Sequence, residues 1–263
     1  MLKKCLILSK AGSISVFLRC VLLLWCFFRT DDAGFCLSLL FLIAKFHCME
    51  AMSEGSAFRI LSLDEAQAAL AEGRLVLYPT ETLYGLGCDA MNPDAAAAVF
   101  WVKRRSLSQP LPVVIGSMNM LDHLAYASDY ARGLMNAFWP GPLTIVLPAR
   151  KEVPDILTGP LRRVAVRFSS HPAACELSMA IGRPLVASSA NISGIPAVAR
   201  REALDPALAQ GVAGLYVSGP EPAGGLPSTL VDVFEDSGGR GIRILRHGAV
   251  KEEDLYKAGF GII

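Results

Sequence analysis

Leu185-Val186-Ala187-Ser188-Ser189-Ala190-Asn191-Ile192-Ser193-Gly194 is an apolar run that gives way abruptly to small, hydroxyl-bearing and amide-bearing residues. A strand ending this way gathers hydroxyls, a carboxamide and exposed backbone N–H groups at one point, where an anionic or nucleotide ligand can be held. An ordinary polar turn uses the same residue types, because Ser, Asn and Gly suit turns for conformational reasons alone. What weights the reading toward a ligand loop is the company it keeps in residues 79–87 and 103–105.

Outward from that loop, helical and strand patterns alternate from residue 60 onward. Ser62-Leu63-Asp64-Glu65 has capping-box spacing and predicts an Ala-rich helix ending near Gly73. Residues 75–78 predict a short buried strand stopped by Pro79. Asn92 is placed to cap a helix over 94–104. Strands are expected at 111–115, 143–147, 164–168, 214–217, 229–234 and 242–245. Helices are expected at 118–125, 129–138, 172–181 and 202–209, with a short one from about Val250. Alternation without a long linker predicts one α/β domain, over residues 55–252.

Composition narrows the function. The chain has 263 residues and a net charge of +1, but six of its 25 Lys/Arg and only two of its 24 Asp/Glu fall in residues 1–48, leaving the remainder at −3. A mildly acidic body argues against binding driven by nucleic-acid phosphates. Cys88 and Cys175 stand apart in that body, without CxxC or a Cys/His cluster. This predicts a reducing, cytoplasmic compartment and no protein metal site. Histidines 47, 123, 171 and 247 are equally scattered, and His171-Pro172 reads as a helix cap.

Residues 1–48 form a non-domain extension. Two apolar runs, 20–28 and 35–44, are split by Arg29-Thr30-Asp31-Asp32-Ala33-Gly34, and each is shorter than the ~20 residues that span a bilayer. A targeting segment fits the basic start, yet no small-x-small cleavage site follows. The composition, crowded with Cys, Phe and Leu, favours a start called upstream of the native one at Met49 or Met52.

Pro79-Thr80-Glu81-Thr82-Leu83-Tyr84-Gly85-Leu86-Gly87 follows a predicted strand, where α/β proteins bind ligands. It is no Rossmann fingerprint, since Ala90 stands where the third glycine would be. Lys103 and Arg105 close a helix, where the dipole favours cations, and are also suited to gripping phosphate oxygens. Arg167 ends an apolar strand and needs an anionic partner there, and Arg246 has the same character. The chain has no Walker A sequence, GxSxG elbow, kinase signature or HExxH, which excludes the commonest ATP and hydrolase sites.

Taken together, the 79–87 segment, Lys103-x-Arg105, Trp139-Pro140-Gly141-Pro142-Leu143-Thr144, Val166-Arg167 with His171-Pro172, and Ser189-x-Asn191 with Ser193-Gly194 resemble the YrdC-like threonylcarbamoyl-AMP synthases. Gly224-Gly225, residues 228–232 and residues 244–249 extend the likeness, which runs from about 59 to 249. The resemblance implies a twisted mixed sheet flanked by helices around a concave cleft. It implies an enzyme, a nucleotidyltransferase that joins L-threonine, bicarbonate and ATP into threonylcarbamoyl-adenylate with release of pyrophosphate, for N6-threonylcarbamoylation of tRNA adenosine 37. Mg²⁺ would come with ATP. By the same likeness Lys103, Arg105, Ser189, Asn191 and Arg246 would hold ATP, and Thr82, Arg167 and Ser228 would hold threonine. No catalytic nucleophile is implied; Lys103 and Arg105 would stabilise charge.

Ser106 and Gln109 stand where relatives often carry Pro and Asn, Val114 stands where longer members carry His, and residues 195–198 lack the Ser/Thr that longer members use near the nucleotide. These departures point to the short, single-domain type, working with partner proteins of tRNA modification. Two rival readings share the fold: an RNA-binding module without turnover, binding tRNA weakly, and a carbamoyl-transfer domain of the hydrogenase-maturation kind. The latter carries zinc-finger modules, and no CxxC pair occurs here.

Overall fold

The computed structural model describes residues 58–107, 109–236 and 239–263, so the expectations for residues 1–48 lie outside the described residues. Among the described residues the strands form two mixed sheets. The first runs β1 (Ile60–Leu61), β9 (Gly214–Tyr216), β2 (Val76–Pro79), β3 (Tyr84–Gly87), β8 (Ser188–Ser189). The second runs β11 (Gly239–Arg246), β10 (Thr229–Asp236), β5 (Leu143–Pro148), β6 (Arg163–Phe168), β4 (Val113–Ile115), β7 (Leu185–Val186). The expected mixed sheet flanked by helices is thus present as two hydrogen-bonded sheets.

The opening segment joins them. Leu185 and Val186 pair with Val114 and Val113 in the second sheet, and two residues later Ser188 and Ser189 pair with Leu86 and Gly85 in the first. Between the strands, Ala187 N donates to Pro112 O at 2.8 Å. Tyr78, fully buried, donates its hydroxyl to Val186 O at 3.0 Å and lays its ring across β3. That ring explains Tyr84-Gly85-Leu86-Gly87: a Cβ on Gly87 would stand 2.7 Å from the Tyr78 ring and 2.4 Å from Val186 O. The glycines of this segment therefore belong to a strand, because what they make room for is an aromatic ring on the neighbouring strand, where Tyr78 is the register partner of Gly85.

Local chemistry starts the helices where expected. Ser62 and Glu65 form the capping box of helix Leu63–Ala71, Asn92 Oδ1 accepts from Asp94 N and Ala95 N at 3.1 Å, and His171 Nδ1 accepts from Ala173 N at 3.2 Å. Helices Leu63–Ala71 and Pro172–Ile181 bury Ala66, Ala69, Ala173 and Ala174 with Tyr78 and Leu177 in one apolar cluster. The larger cluster takes Leu77 and Leu86 from the first sheet, Ile145 and Val166 from the second, and Val99 and Phe100 from helix Pro93–Lys103. Burying such side chains is what holds the sheets together, at about 1.5–3 kcal/mol each.

Two expected helices are not continuous α-helices. Residues 202–209 form the 3₁₀ segments Arg201–Ala203 and Pro206–Gly211, because Pro206 has no N–H to donate and restricts Asp205, whose side chain caps Ala207 N at 2.9 Å. Residues 118–125 form a 3₁₀ turn, Met118–Met120, followed by the single α-turn Leu121–Leu124. After helix Glu252–Lys257 the chain returns to the edge of the second sheet, where Ile263 N donates to Ile242 O at 3.0 Å. No helix among the described residues is long and apolar enough to cross a membrane.

Gly87→Ala should lower stability by about 1–3 kcal/mol, the usual cost of overpacking. Urea unfolding followed by circular dichroism measures it; an unchanged midpoint would mean that the Tyr78 ring is not confined as described.

Candidate active site

A cavity of about 460 Å³ is lined from both sheets, by Tyr78 and Gly85 of the first and by Thr144, Ala165 and Leu230 of the second. Thr82, Arg105, Arg167, Ser189, Ser228 and Arg246 all line it. Six of the eight residues singled out by sequence thus converge on one space. Lys103 and Asn191 are not on its wall.

Lys103 sits behind the wall. Arg104 takes a left-handed conformation, φ 51°, at the end of helix Pro93–Lys103, and the Lys103 side chain turns inward to 2% exposure. Its Nζ donates to Ser189 O, to Asn191 O at 2.6 Å and to Asn191 Oδ1 at 3.2 Å. In return Ser193 N donates to Lys103 O at 2.8 Å. Asn191 Nδ2 donates to Ile192 O at 3.0 Å and Ile195 O at 2.5 Å, so the whole loop is tied to the helix end. Burial, with Arg105 nearby, pushes the Lys103 ammonium down from 10.5 to about 8.

Three guanidiniums share the cavity on unequal terms. Arg246 donates to Ser228 O at 2.8 and 3.2 Å and to Ser228 Oγ at 3.0 Å, and Ser228 Oγ shares a hydrogen bond with Thr144 Oγ1 at 2.8 Å. Arg105 makes only long bonds, to Gln109 O at 3.4 Å and Pro110 O at 3.3 Å, and its buried Nε has no partner. Arg167, near the end of β6 and 6% exposed, makes no side-chain hydrogen bond among the described residues; the one ionic neighbour of its guanidinium there is Glu81, with 3.8 Å between Nη1 and Oε1. Burial holds Arg105 and Arg246 below the ordinary arginine range, and Arg246 is lowered further by Arg167 and then Arg105. Clustered, partly desolvated cations with spare donors create a demand for anionic ligands.

Sequence reasoning assigned no role to Glu81 or Thr144, although both stood inside quoted motifs. The only local sign for Glu81 was a carboxylate in a turn rich in hydroxyls. A strap formed by residues 219–227 closes the site beside them. Gly224 N donates to Thr82 O at 3.0 Å, Ala223 N to Glu81 O at 3.2 Å, and Tyr84 OH to Glu221 Oε1 at 2.9 Å. His171, besides capping its helix, lies with Nε2 2.8 Å from Pro220 O, so the strap is also tied to the start of that helix.

The profile of the Sua5/YciO/YrdC family, described as telomere recombination, matches residues 68–248. The chain belongs to this family. It is 40% identical over 173 residues to the threonylcarbamoyl-AMP synthase of Pyrococcus abyssi, covering 65% of this chain and 50% of that protein. With the threonylcarbamoyl-AMP synthase of Xanthomonas campestris pv. campestris (strain B100) it shares 41% identity over 150 residues, 56% of this chain and 80% of that protein. Among solved structures, P. abyssi Sua5 complexed with L-threonine superposes with a TM-score of 0.66 at 34% identity, covering 77% of this chain and 60% of that one. This family member therefore spans about half of the archaeal relative and most of the Xanthomonas one.

Lys103→Met should cost about 1–3 kcal/mol, because two backbone carbonyls and Asn191 Oδ1 lose their donor. The pH dependence has a definite sign. Below pH 8 the folded and unfolded chains both carry the charge, whereas between 8 and 10.5 only the unfolded chain keeps the proton, so the Lys103 contribution to stability rises with pH there. Urea midpoints of wild type and Lys103→Met, compared at pH 7 and 9.5, should diverge in favour of the wild type.

Proposed function

We propose that this protein is a threonylcarbamoyl-AMP synthase of the nucleotidyltransferase class, forming threonylcarbamoyl-adenylate and pyrophosphate from L-threonine, bicarbonate and ATP. The observation that carries the proposal is the convergence of Arg105, Arg167 and Arg246 on one cavity with Thr82, Ser189 and Ser228. The relatives' names and the threonine complex of a 34% identical protein support the same reading.

In this chemistry the threonine amine adds to the carbon of bicarbonate and water leaves, giving a carbamate. A carbamate oxygen then attacks the α-phosphorus of ATP as the bond to pyrophosphate breaks. The nucleophile comes from the substrates, so the protein's part is to position them and stabilise charge. Arg167 pairs with the threonine carboxylate, and Thr82 and Ser228 supply hydroxyls beside it. Arg105, Arg246 and Ser189 face the nucleotide, while Lys103 and Asn191 serve it indirectly by holding the Ser189 loop. Mg²⁺ would come with ATP rather than on protein ligands, and would supply positive charge at the phosphates beside Arg105 and Arg246. The adenylate then passes to partner proteins that modify tRNA adenosine 37, with any direct contact to RNA weak.

Incubation with threonine, bicarbonate and ATP, followed by mass detection of the adenylate, should give threonine-dependent pyrophosphate release; its absence would sink the assignment. Arg167→Ala should raise KM for threonine by roughly 30-fold, the equivalent of about 2 kcal/mol for a charged hydrogen-bonded pair. Arg246→Ala should act chiefly on KM for ATP. Equal effects of either substitution on both substrates would show the partition to be wrong.

A further inference from the structure

Of the three guanidiniums on the cavity, Arg167 is the one with a carboxylate within 4 Å among the described residues. Glu81 is not among the residues of the cavity wall; it is half-buried, with its buried Oε1 3.8 Å from Arg167 Nη1. Its Oε2 accepts from the Ser169 hydroxyl, two residues beyond Arg167 on the same strand run, and its backbone carbonyl accepts from Ala223 of the strap at 3.2 Å. Its Oε1, facing the guanidinium, has no hydrogen-bond partner of its own. Such an oxygen is costly to keep in place unless the neighbouring charge compensates it. Among the described residues Arg105 and Arg246 have no comparable counter-ion: their partners there are backbone carbonyls and the Ser228 hydroxyl.

We infer that Glu81 divides the cavity into two electrostatic ends, neutralising Arg167 so that it accepts the single carboxylate of an amino acid while Arg105 and Arg246 alone attract polyphosphate. The inference rests on the proposed function for the identity of the two ligands. Glu81 is a positioning residue, acting through Arg167 and touching neither substrate. A neutral ion pair suits a zwitterion, whose own charges sum to zero, and gives a polyanion nothing to gain. Without the carboxylate, Arg167 would join Arg105 and Arg246 in a triad that phosphate oxygens could fill, and the amino-acid end would be open to the wrong ligand.

The test uses the full chain and two titrants, sodium tripolyphosphate and L-threonine, each followed by calorimetry at low salt. In the wild type, saturating tripolyphosphate should leave threonine affinity within about twofold, as expected of ligands held by separate charges. Glu81→Gln, close in shape to glutamate, should bind tripolyphosphate about tenfold tighter, a modest fraction of one unscreened charge at a partly buried site, and threonine should then compete with it. Glu81→Asp, which keeps the charge, should behave as the wild type. The double variant Glu81→Gln/Arg167→Gln replaces a neutral pair with a neutral pair and leaves no buried charge unpaired, so it tests the idea even if Glu81→Gln fails to fold. It should keep wild-type tripolyphosphate affinity while losing threonine. Unchanged tripolyphosphate affinity in folded Glu81→Gln, a parallel loss of both ligands, or a tenfold loss of tripolyphosphate in the double variant would each overturn the inference. Failure of wild-type protein to bind threonine would instead count against the proposed function, since the tripolyphosphate comparison is read without it.

Discussion

Backbone hydrogen bonding across residues 185–189 is the constraint on which the remaining structure hangs. Within five residues the chain must satisfy its N–H and C=O groups in one sheet and then in the other, since a buried unpaired group costs free energy comparable to a lost hydrogen bond. It does so by pairing Leu185 and Val186 with β4, passing Ala187 N to Pro112 O, and pairing Ser188 and Ser189 with β3. Tyr78 caps the crossing through Val186 O, and the two glycines of β3 leave space for its ring. Because residues 185–189 belong to both sheets, Ser188 and Ser189 are held on the wall of a cavity that strands of both sheets line.

Charge is the second organising element. The ammonium of Lys103 is spent on structure: it meets two carbonyls and an amide oxygen and so fixes where Ser189 faces. The guanidiniums of Arg105, Arg167 and Arg246 keep donors in reserve around the cavity. Arginine suits that role, because its planar fork presents several donors in fixed directions, whereas a lysine ammonium can be wholly consumed by three nearby acceptors, as here.

Much of the site was legible from residue types. Arg167 was singled out because an arginine at the end of an apolar strand needs an anion, and the structure supplies a carboxylate at 3.8 Å while its guanidinium makes no hydrogen bond among the described residues. Ser62, Asn92 and His171 were legible as caps, since capping depends on the side chain and the next three residues. Less legible were Glu81, whose carboxylate is held by Ser169 and whose backbone carbonyl is held by Ala223, both far along the chain, and β3, whose glycines answer to Tyr78 rather than to their own neighbours. The helix expected at 202–209 failed for a local reason that the sequence did contain, Pro206.

Residue order alone carries the α/β alternation, the helix starts and the set of polar residues suited to anions, because propensity, capping and hydrophobic period act over a few neighbouring residues. Packing decided the separation into two sheets, the withdrawal of Lys103 and Asn191 from the cavity wall, and the pairing of Glu81 with one arginine out of three. These depend on which distant segments come within a few ångströms of each other, and electrostatic and hydrogen-bond energies at that range are set by burial and distance, which no short stretch of sequence specifies.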